Sequence, residues 1–207
     1  MIKNTFFLFY LFLTSTTYSQ FIEGDFSDFS NQSIKLEGFN GLKTYLISSI
    51  KTDEKGNFKL NYSKSDYGLG YLISNDNKPL FVILNGEDIE VNGQSLSYPE
   101  TIKIIKSEQN RCFEQYAKEQ PRREQALSAW RYLDKMYNVD SLFSVQKSAL
   151  RAIQEEKLRI INEDVAFLES LPQDSYVKWY LPIRKLVSSA STIAQYRPEE
   201  LPETIKA

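Results

Sequence analysis

Between residues 45 and 91 short apolar runs alternate with turn signals, and this rhythm constrains the chain more than any other feature. The runs fall at 45–50, 58–62, 69–73, Leu80–Leu84 and 88–91, separated by Asp53-Glu54-Lys55-Gly56, Gly68, Asn75-Asp76-Asn77 and Asn85-Gly86. Runs this short, bounded by residues that tolerate unusual backbone angles, are strands of an antiparallel sheet. Phe58-Lys59-Leu60-Asn61-Tyr62 alternates strictly, so its rings and leucine share one face. Leu80–Leu84 is apolar throughout and predicts a central strand covered on both faces. Such a stretch is a scaffold and carries no catalytic apparatus.

The strand signals extend to both sides. Phe21-Ile22-Glu23-Gly24-Asp25-Phe26 reads as a first strand, and Ile34-Lys35-Leu36-Glu37-Gly38-Phe39 alternates cleanly. Asn40-Gly41 predicts a two-residue hairpin. Residues 42–50 then form one long strand or two joined by a bulge. Asn92-Gly93 offers another reversal, and residues 101–106 suit a lysine-rich edge strand. At Ser107 the period changes from two to that of a helix. Ser107 and Asn110 cap a helix carrying Phe113 and Tyr116, which Pro121 is expected to interrupt. A second helix from Pro121 carries Leu127, Trp130, Leu133 and Tyr137. A third, capped by Asp140 or Ser141, runs from Leu142 and Val145 through Ile153 and Leu168 to Leu171-Pro172. A fourth follows Asp174 or Ser175 with Val177, Tyr180, Leu181, Leu186 and Val187, Pro182 kinking it or marking its first turn.

The expected fold class is therefore α+β, an antiparallel β-sandwich-like domain at 20–106 followed by a helical segment at 107–207. The helices should supply part of the cover over Leu80–Leu84. Residues 1–19 have the grammar of a secretory signal peptide: Lys3, an eight-residue apolar run from Phe6 to Leu13, and a small polar patch ending at Ser19. That run is far shorter than the roughly 20 residues a spanning helix needs. Cleavage after Ser19 would leave Gln20 first, with no nearby cysteine for a lipid anchor and no transmembrane span.

Composition narrows the chemistry. With 25 basic and 27 acidic residues and a net charge of −2, the chain has no general attraction for nucleic acid. It has no histidine, which removes the common proton shuttle, the familiar nucleophilic triad and a frequent metal ligand. Glu87, Asp88 and Glu90 lie where surface charges are ordinary, and the Asp53 turn lacks the spaced ligands of a calcium loop. No catalytic residue, cofactor site or metal ligand is picked out. Cys112 is the sole cysteine, so neither an intrachain disulfide nor a Cys-x-x-Cys pair exists. On a helix it reads as a half-buried residue; were it exposed, Arg111 would lower its pKa and favour a mixed disulfide with a partner. Trp130, Trp179, Tyr180 and Arg184 form a candidate ligand or partner surface, set against the alternative that helically spaced aromatics are core.

Four stretches carry a resemblance to a known family: Phe21-Ile22-Glu23-Gly24; Ile50-Lys51-Thr52-Asp53-Glu54-Lys55-Gly56-Asn57-Phe58; Gly70-Tyr71-Leu72 followed by Phe81-Val82-Ile83-Leu84-Asn85-Gly86-Glu87-Asp88; and Ser107-Glu108-Gln109-Asn110. In these the chain resembles the amino-terminal, non-catalytic domains that precede a thioredoxin-like, AhpC/TSA or TlpA-type domain in exported thiol-disulfide interchange proteins of Bacteroidetes-type bacteria. The resemblance implies a periplasmic or envelope location and an accessory or interaction role toward a thioredoxin-fold partner, in the same chain or separate. Either the chain continues past residue 207, which the unfinished reading of residues 198–207 favours, or the module acts alone. Without a Cys-x-x-Cys or a thioredoxin βαβ unit, the disulfide chemistry transfers to no residue here. The alternative expectation is a stand-alone carbohydrate- or peptide-binding module of the envelope, built on the two tryptophans.

Overall fold

The computed structural model describes residues 20–75, 78–143 and 147–196. The leader at 1–19, the centre of the Asn75-Asp76-Asn77 turn, Val145 and residues 198–207 lie outside the described residues. Eight strands precede three helices among the described residues: β1 (Gln20–Phe26), β2 (Ser33–Asn40), β3 (Lys43–Lys51), β4 (Asn57–Tyr62), β5 (Gly68–Ser74), β6 (Leu80–Leu84), β7 (Ile89–Gly93), β8 (Lys103–Lys106), α1 (Glu108–Val139), α2 (Lys147–Ser170) and α3 (Tyr176–Tyr196). The strands form two four-stranded sheets, ordered β4-β1-β7-β8 and β3-β2-β5-β6. Every pairing is antiparallel except β1 with β7. This is the α+β arrangement expected from the sequence, a sandwich followed by helices.

Period-two patterning explains the core. Phe58, Leu60 and Tyr62 of β4 are buried while Lys59 and Asn61 are exposed. Ile22, Leu60, Ile89 and Val91 of one sheet pack against Ile34, Leu36, Leu72, Val82 and Leu84 of the other. Phe26 stacks on Phe58 at 5.3 Å. The parallel β1–β7 pair depends on Gly24, where an added Cβ would lie 1.8 Å from the Val91 carbonyl oxygen. No side chain fits there.

The turns are turns. The Asp53 carboxylate accepts hydrogen bonds from the Lys55 N–H and Asn57 N–H, both at 2.8 Å, and from Asn57 Nδ2 at 2.7 Å. Those donors hold its pKa below the ordinary carboxylate value. The β2–β3 hairpin sits one residue later than expected: Asn40 pairs with Lys43, and Gly41, at φ +62°, is the first of two central residues. Between the Leu36–Ser48 and Glu37–Leu46 pairs Ile47 is extra, so of the two readings left open for residues 42–50 the structure has one long strand, which itself carries a bulge.

Four expectations need correction. Leu80–Leu84 is an edge strand, not a central one; its continuous apolarity reflects the sandwich core beneath Val82 and Leu84 and helices above Ile83, while Phe81 stays exposed. Pro121 does not divide two helices but lies inside α1. An interior proline costs about 3 kcal/mol, and burial of Tyr116 and Gln120 before it and Leu127 after it offsets that cost only if the helix keeps its phase. The next helix starts later than Leu142, because the Asp140 carboxylate accepts the Leu142 N–H at 2.9 Å and holds a turn there. The Asn92-Gly93 reversal is not a tight hairpin, since β7 continues through Gly93.

Candidate functional site

The helical unit is mounted on the edge of the second sheet through its first turn. Ser107, at φ +105°, caps α1 by accepting the Asn110 N–H at 3.2 Å, and its hydroxyl donates to the Glu87 carboxylate. Asn110 then accepts the Ile83 N–H with Oδ1 at 2.7 Å and donates Nδ2 to the Ile83 carbonyl at 2.9 Å. At the other helix, Gln109 Oε1 accepts the Tyr176 N–H at 2.9 Å, tying the start of α3 to the start of α1. Ile83, Phe113, Tyr116, Leu171, Val177 and Leu181 close a second core over this junction. The predicted helical cover over β6 is present at Ile83 and stops before Phe81.

Farther along the helices a buried charge cluster joins all three. Asp164 of α2 pairs with Lys185 of α3 and lies 3.6 Å from Arg123 of α1, which also pairs with Glu119. Tyr116, fully buried beside Asp164, has its phenol pushed up by burial and then by that carboxylate. The cluster is enclosed in the bundle interior, yet the Tyr116 hydroxyl, Asp164 Oδ1 and one Arg123 nitrogen are buried there without a hydrogen-bond partner among the described residues. Sequence reasoning missed this cluster, because it set Trp179, Tyr180 and Arg184 as a candidate surface against a core alternative and nothing local pairs Asp164 with Lys185. The only available signal was that Lys185 and Leu181 lie one turn apart on the same helix face.

Three of the four aromatic and basic candidates come together and one does not: Trp179 meets Tyr180 edge-on at 6.1 Å, Tyr180 and Arg184 share the Phe113 ring, and Trp130 lies apart. Trp179 is 53% exposed and packs edge-on to Tyr176 at 4.9 Å. Tyr180 is half-buried against Phe113 at 6.1 Å, and the half-buried Arg184 guanidinium lies over the same ring at 5.5 Å. Trp130 stands ~26 Å farther up α1 than Phe113, at 1.5 Å rise per residue, so it shares no platform with Trp179. Cys112 is half-buried; burial first, and the nearby Glu108 charge second, push its thiol above the ordinary value despite Arg111.

The outward side of α3 runs against the usual pattern. Its inner side carries Val177 and Leu181 together with Arg184 and Lys185, whereas Trp179, Ile183, Leu186 and Val187 are exposed. Spacing of four, three and one residues places these four on one face. Among the described residues no group of three or more His, Cys, Asp or Glu is placed to hold a metal ion, and no helix is long and apolar enough to cross a membrane.

No family model matches the chain, and no curated protein matches it. Among solved structures it is similar to a 9R-lipoxygenase from Cyanothece PCC8801 at 19% identity and a TM-score of 0.24. That likeness covers 33% of this chain and spans only 14% of the lipoxygenase chain. At that score it bears on neither fold nor function.

Proposed function

We propose that the chain is an accessory or interaction domain of an exported thiol-disulfide oxidoreductase, acting in the periplasm or envelope without redox chemistry of its own. The observation that carries this reading is the outward apolar face of α3, with Trp179, Ile183, Leu186 and Val187 exposed on a helix whose charges turn inward. An exposed apolar row beside a rigid mount supports docking of a folded partner. The family resemblance names that partner's class as a thioredoxin fold. Cys112, half-buried and with a raised pKa, is a poor nucleophile, which fits a positioning role. Trp130 and Trp179 stand apart, so the alternative of a carbohydrate- or peptide-binding module would rest on the exposed Trp179 and its neighbours Tyr176 and Tyr180.

The test is calorimetric titration of the purified chain with a purified TlpA-type thioredoxin-fold domain, beside Ile183→Asp and Leu186→Asp variants. Saturable binding by the natural chain, lost in both variants, is the expected result. Absence of binding, together with a native reading frame that holds no thioredoxin domain, would overturn the reading.

A further inference from the structure

Pro182 divides α3 into two stretches that are held in different ways. Before it, Val177 and Leu181 are 1% and 0% exposed, and the Tyr176 N–H donates to Gln109 Oε1 at 2.9 Å. Lys178 Nζ donates to the Leu168 and Glu169 carbonyls at 2.8 Å and 2.9 Å. Core packing and hydrogen bonds together pin this stretch to α1 and to the end of α2. After it the core is missing: none of residues 182–189 is buried. Ile183, Leu186 and Val187 turn outward, and the inner side is held through charges, Lys185 on Asp164 and the Arg184 guanidinium over the Phe113 ring at 5.5 Å.

The backbone is weakest at that same point. Proline has no N–H to give the Lys178 carbonyl, and its ring crowds that carbonyl, so the hydrogen-bond ladder of α3 lacks a rung between the two stretches. The ion pair just beyond this gap has a substitute in reserve. Arg123 Nη1 lies 3.6 Å from Asp164 Oδ1, just past hydrogen-bonding distance. Both atoms, like the Tyr116 hydroxyl, are buried without a hydrogen-bond partner among the described residues. A movement of under about 1 Å lets Arg123 bond to the carboxylate. Asp164 therefore keeps a cation when Lys185 leaves, while Lys185, its side chain already 34% exposed, gains water. A buried pair ordinarily resists opening because it strands a charge. Here the reserve cation removes that obstacle.

We propose that residues 183–196 form a hinged arm, with Pro182 as the hinge and the Lys185–Asp164 pair as the latch. Release breaks that pair and lifts Arg184 from Phe113, Arg123 takes up Asp164, and the stretch through Leu181 stays seated. The arm carries Ile183, Leu186 and Val187 as one piece relative to Trp179, so the exposed side of α3 has two shapes. This device belongs to the isolated chain and does not depend on a redox partner docking on α3.

Residue-by-residue amide hydrogen exchange of the purified chain tests it. Residues 183–189 are expected to exchange at a common rate, faster than residues 178–181 with a step at Pro182, and faster than the sandwich. Lys185→Met should speed the exchange of residues 183–189 about tenfold and leave residues 178–181 unchanged. Pro182→Ala, which restores the bond to the Lys178 carbonyl, should slow it by about tenfold or more. Arg123→Met alone should leave the arm's exchange as it is. Added to Lys185→Met, it should lower the urea midpoint by more than the two single shifts together, because Asp164 then loses both cations. Rates that rise smoothly along α3 with no step at Pro182, or an arm no faster than the sandwich, would overturn the proposal. So would exchange indifferent to Lys185→Met and Pro182→Ala, or additive midpoint shifts.

Discussion

The carboxamide of Asn110 occupies both hydrogen-bonding groups of Ile83, taking the N–H at 2.7 Å and the carbonyl at 2.9 Å. A β-sheet edge normally needs another strand or water to satisfy such a pair. Here one side chain on the first turn of α1 does it, with Asn110 2% exposed. Asn110→Ala leaves a buried donor and a buried acceptor unsatisfied and should cost about 2–4 kcal/mol in urea unfolding. Asn110→Asp keeps the acceptor for the Ile83 N–H but turns a carboxylate toward the Ile83 carbonyl, so it too should destabilise. A cost under about 0.5 kcal/mol for Asn110→Ala would show that the clasp is not what seats the helices.

Much of this architecture was legible because it rests on local signals. The alternation of Phe58-Lys59-Leu60, the glycines of the turns and the change of period at Ser107 are each decided within a few residues. What was illegible depends on partners distant in sequence. Whether Leu80–Leu84 is central or an edge is decided by where β2 and β5 pair, and five apolar residues look alike in either place. Pro121 carries a strong local break signal, overridden because Tyr116 and Gln120 before it and Leu127 after it are all buried along one continuous helix. Asn110 was expected as part of a cap and its local bond to Ser107 is there, but its bond to Ile83 crosses from helix to sheet and leaves no mark in the local pattern. The ring contacts of Phe39, Tyr71 and Phe81 likewise arise only when β2, β5 and β6 are brought side by side.

Asp164, buried among α1, α2 and α3, gives a second prediction. Removing it alone, as Asp164→Leu, strands Lys185 and leaves Arg123 with Glu119 as its remaining partner. Breaking a fully buried pair costs roughly 3–5 kcal/mol; because the Lys185 side chain is 34% exposed, water recovers part of that, and about 2–3 kcal/mol is expected. Asp164→Leu combined with Lys185→Met removes both charges and should cost less than the two single variants together, with a coupling of about 1–3 kcal/mol in a double-mutant cycle. Additive single effects would mean that the pair is not coupled.

Cys112 gives a third, read as a rate. Its thiol is held above the ordinary value by burial, with Glu108 adding and Arg111 opposing, so the thiolate fraction near neutral pH is small. An uncharged disulfide reagent should react with the folded chain about tenfold or more slowly than with a cysteine in a short peptide, since attack requires both thiolate and access. Unfolding in urea should remove the difference. Rapid reaction of the folded chain would revive Cys112 as a mixed-disulfide position.

Alkaline pH should destabilise the fold through Tyr62 and Tyr116. Both phenols are buried, and desolvation followed by nearby negative charge holds them protonated above the ordinary tyrosine value. In the unfolded chain they ionise near pH 10, so above that pH the unfolded state has released protons that the folded state retains. Stability from this source is complete below about pH 10 and falls as pH rises from there toward the folded-state values. Urea midpoints should therefore hold steady up to about pH 9.5 and decline beyond it. Tyr116→Phe, which keeps the ring stacked on Phe167 at 5.6 Å and removes the titrating group, should flatten that decline relative to the natural chain. Ultraviolet titration should show two phenols ionising only as the chain unfolds; a decline as steep in Tyr116→Phe as in the natural chain would assign the alkaline transition to other groups.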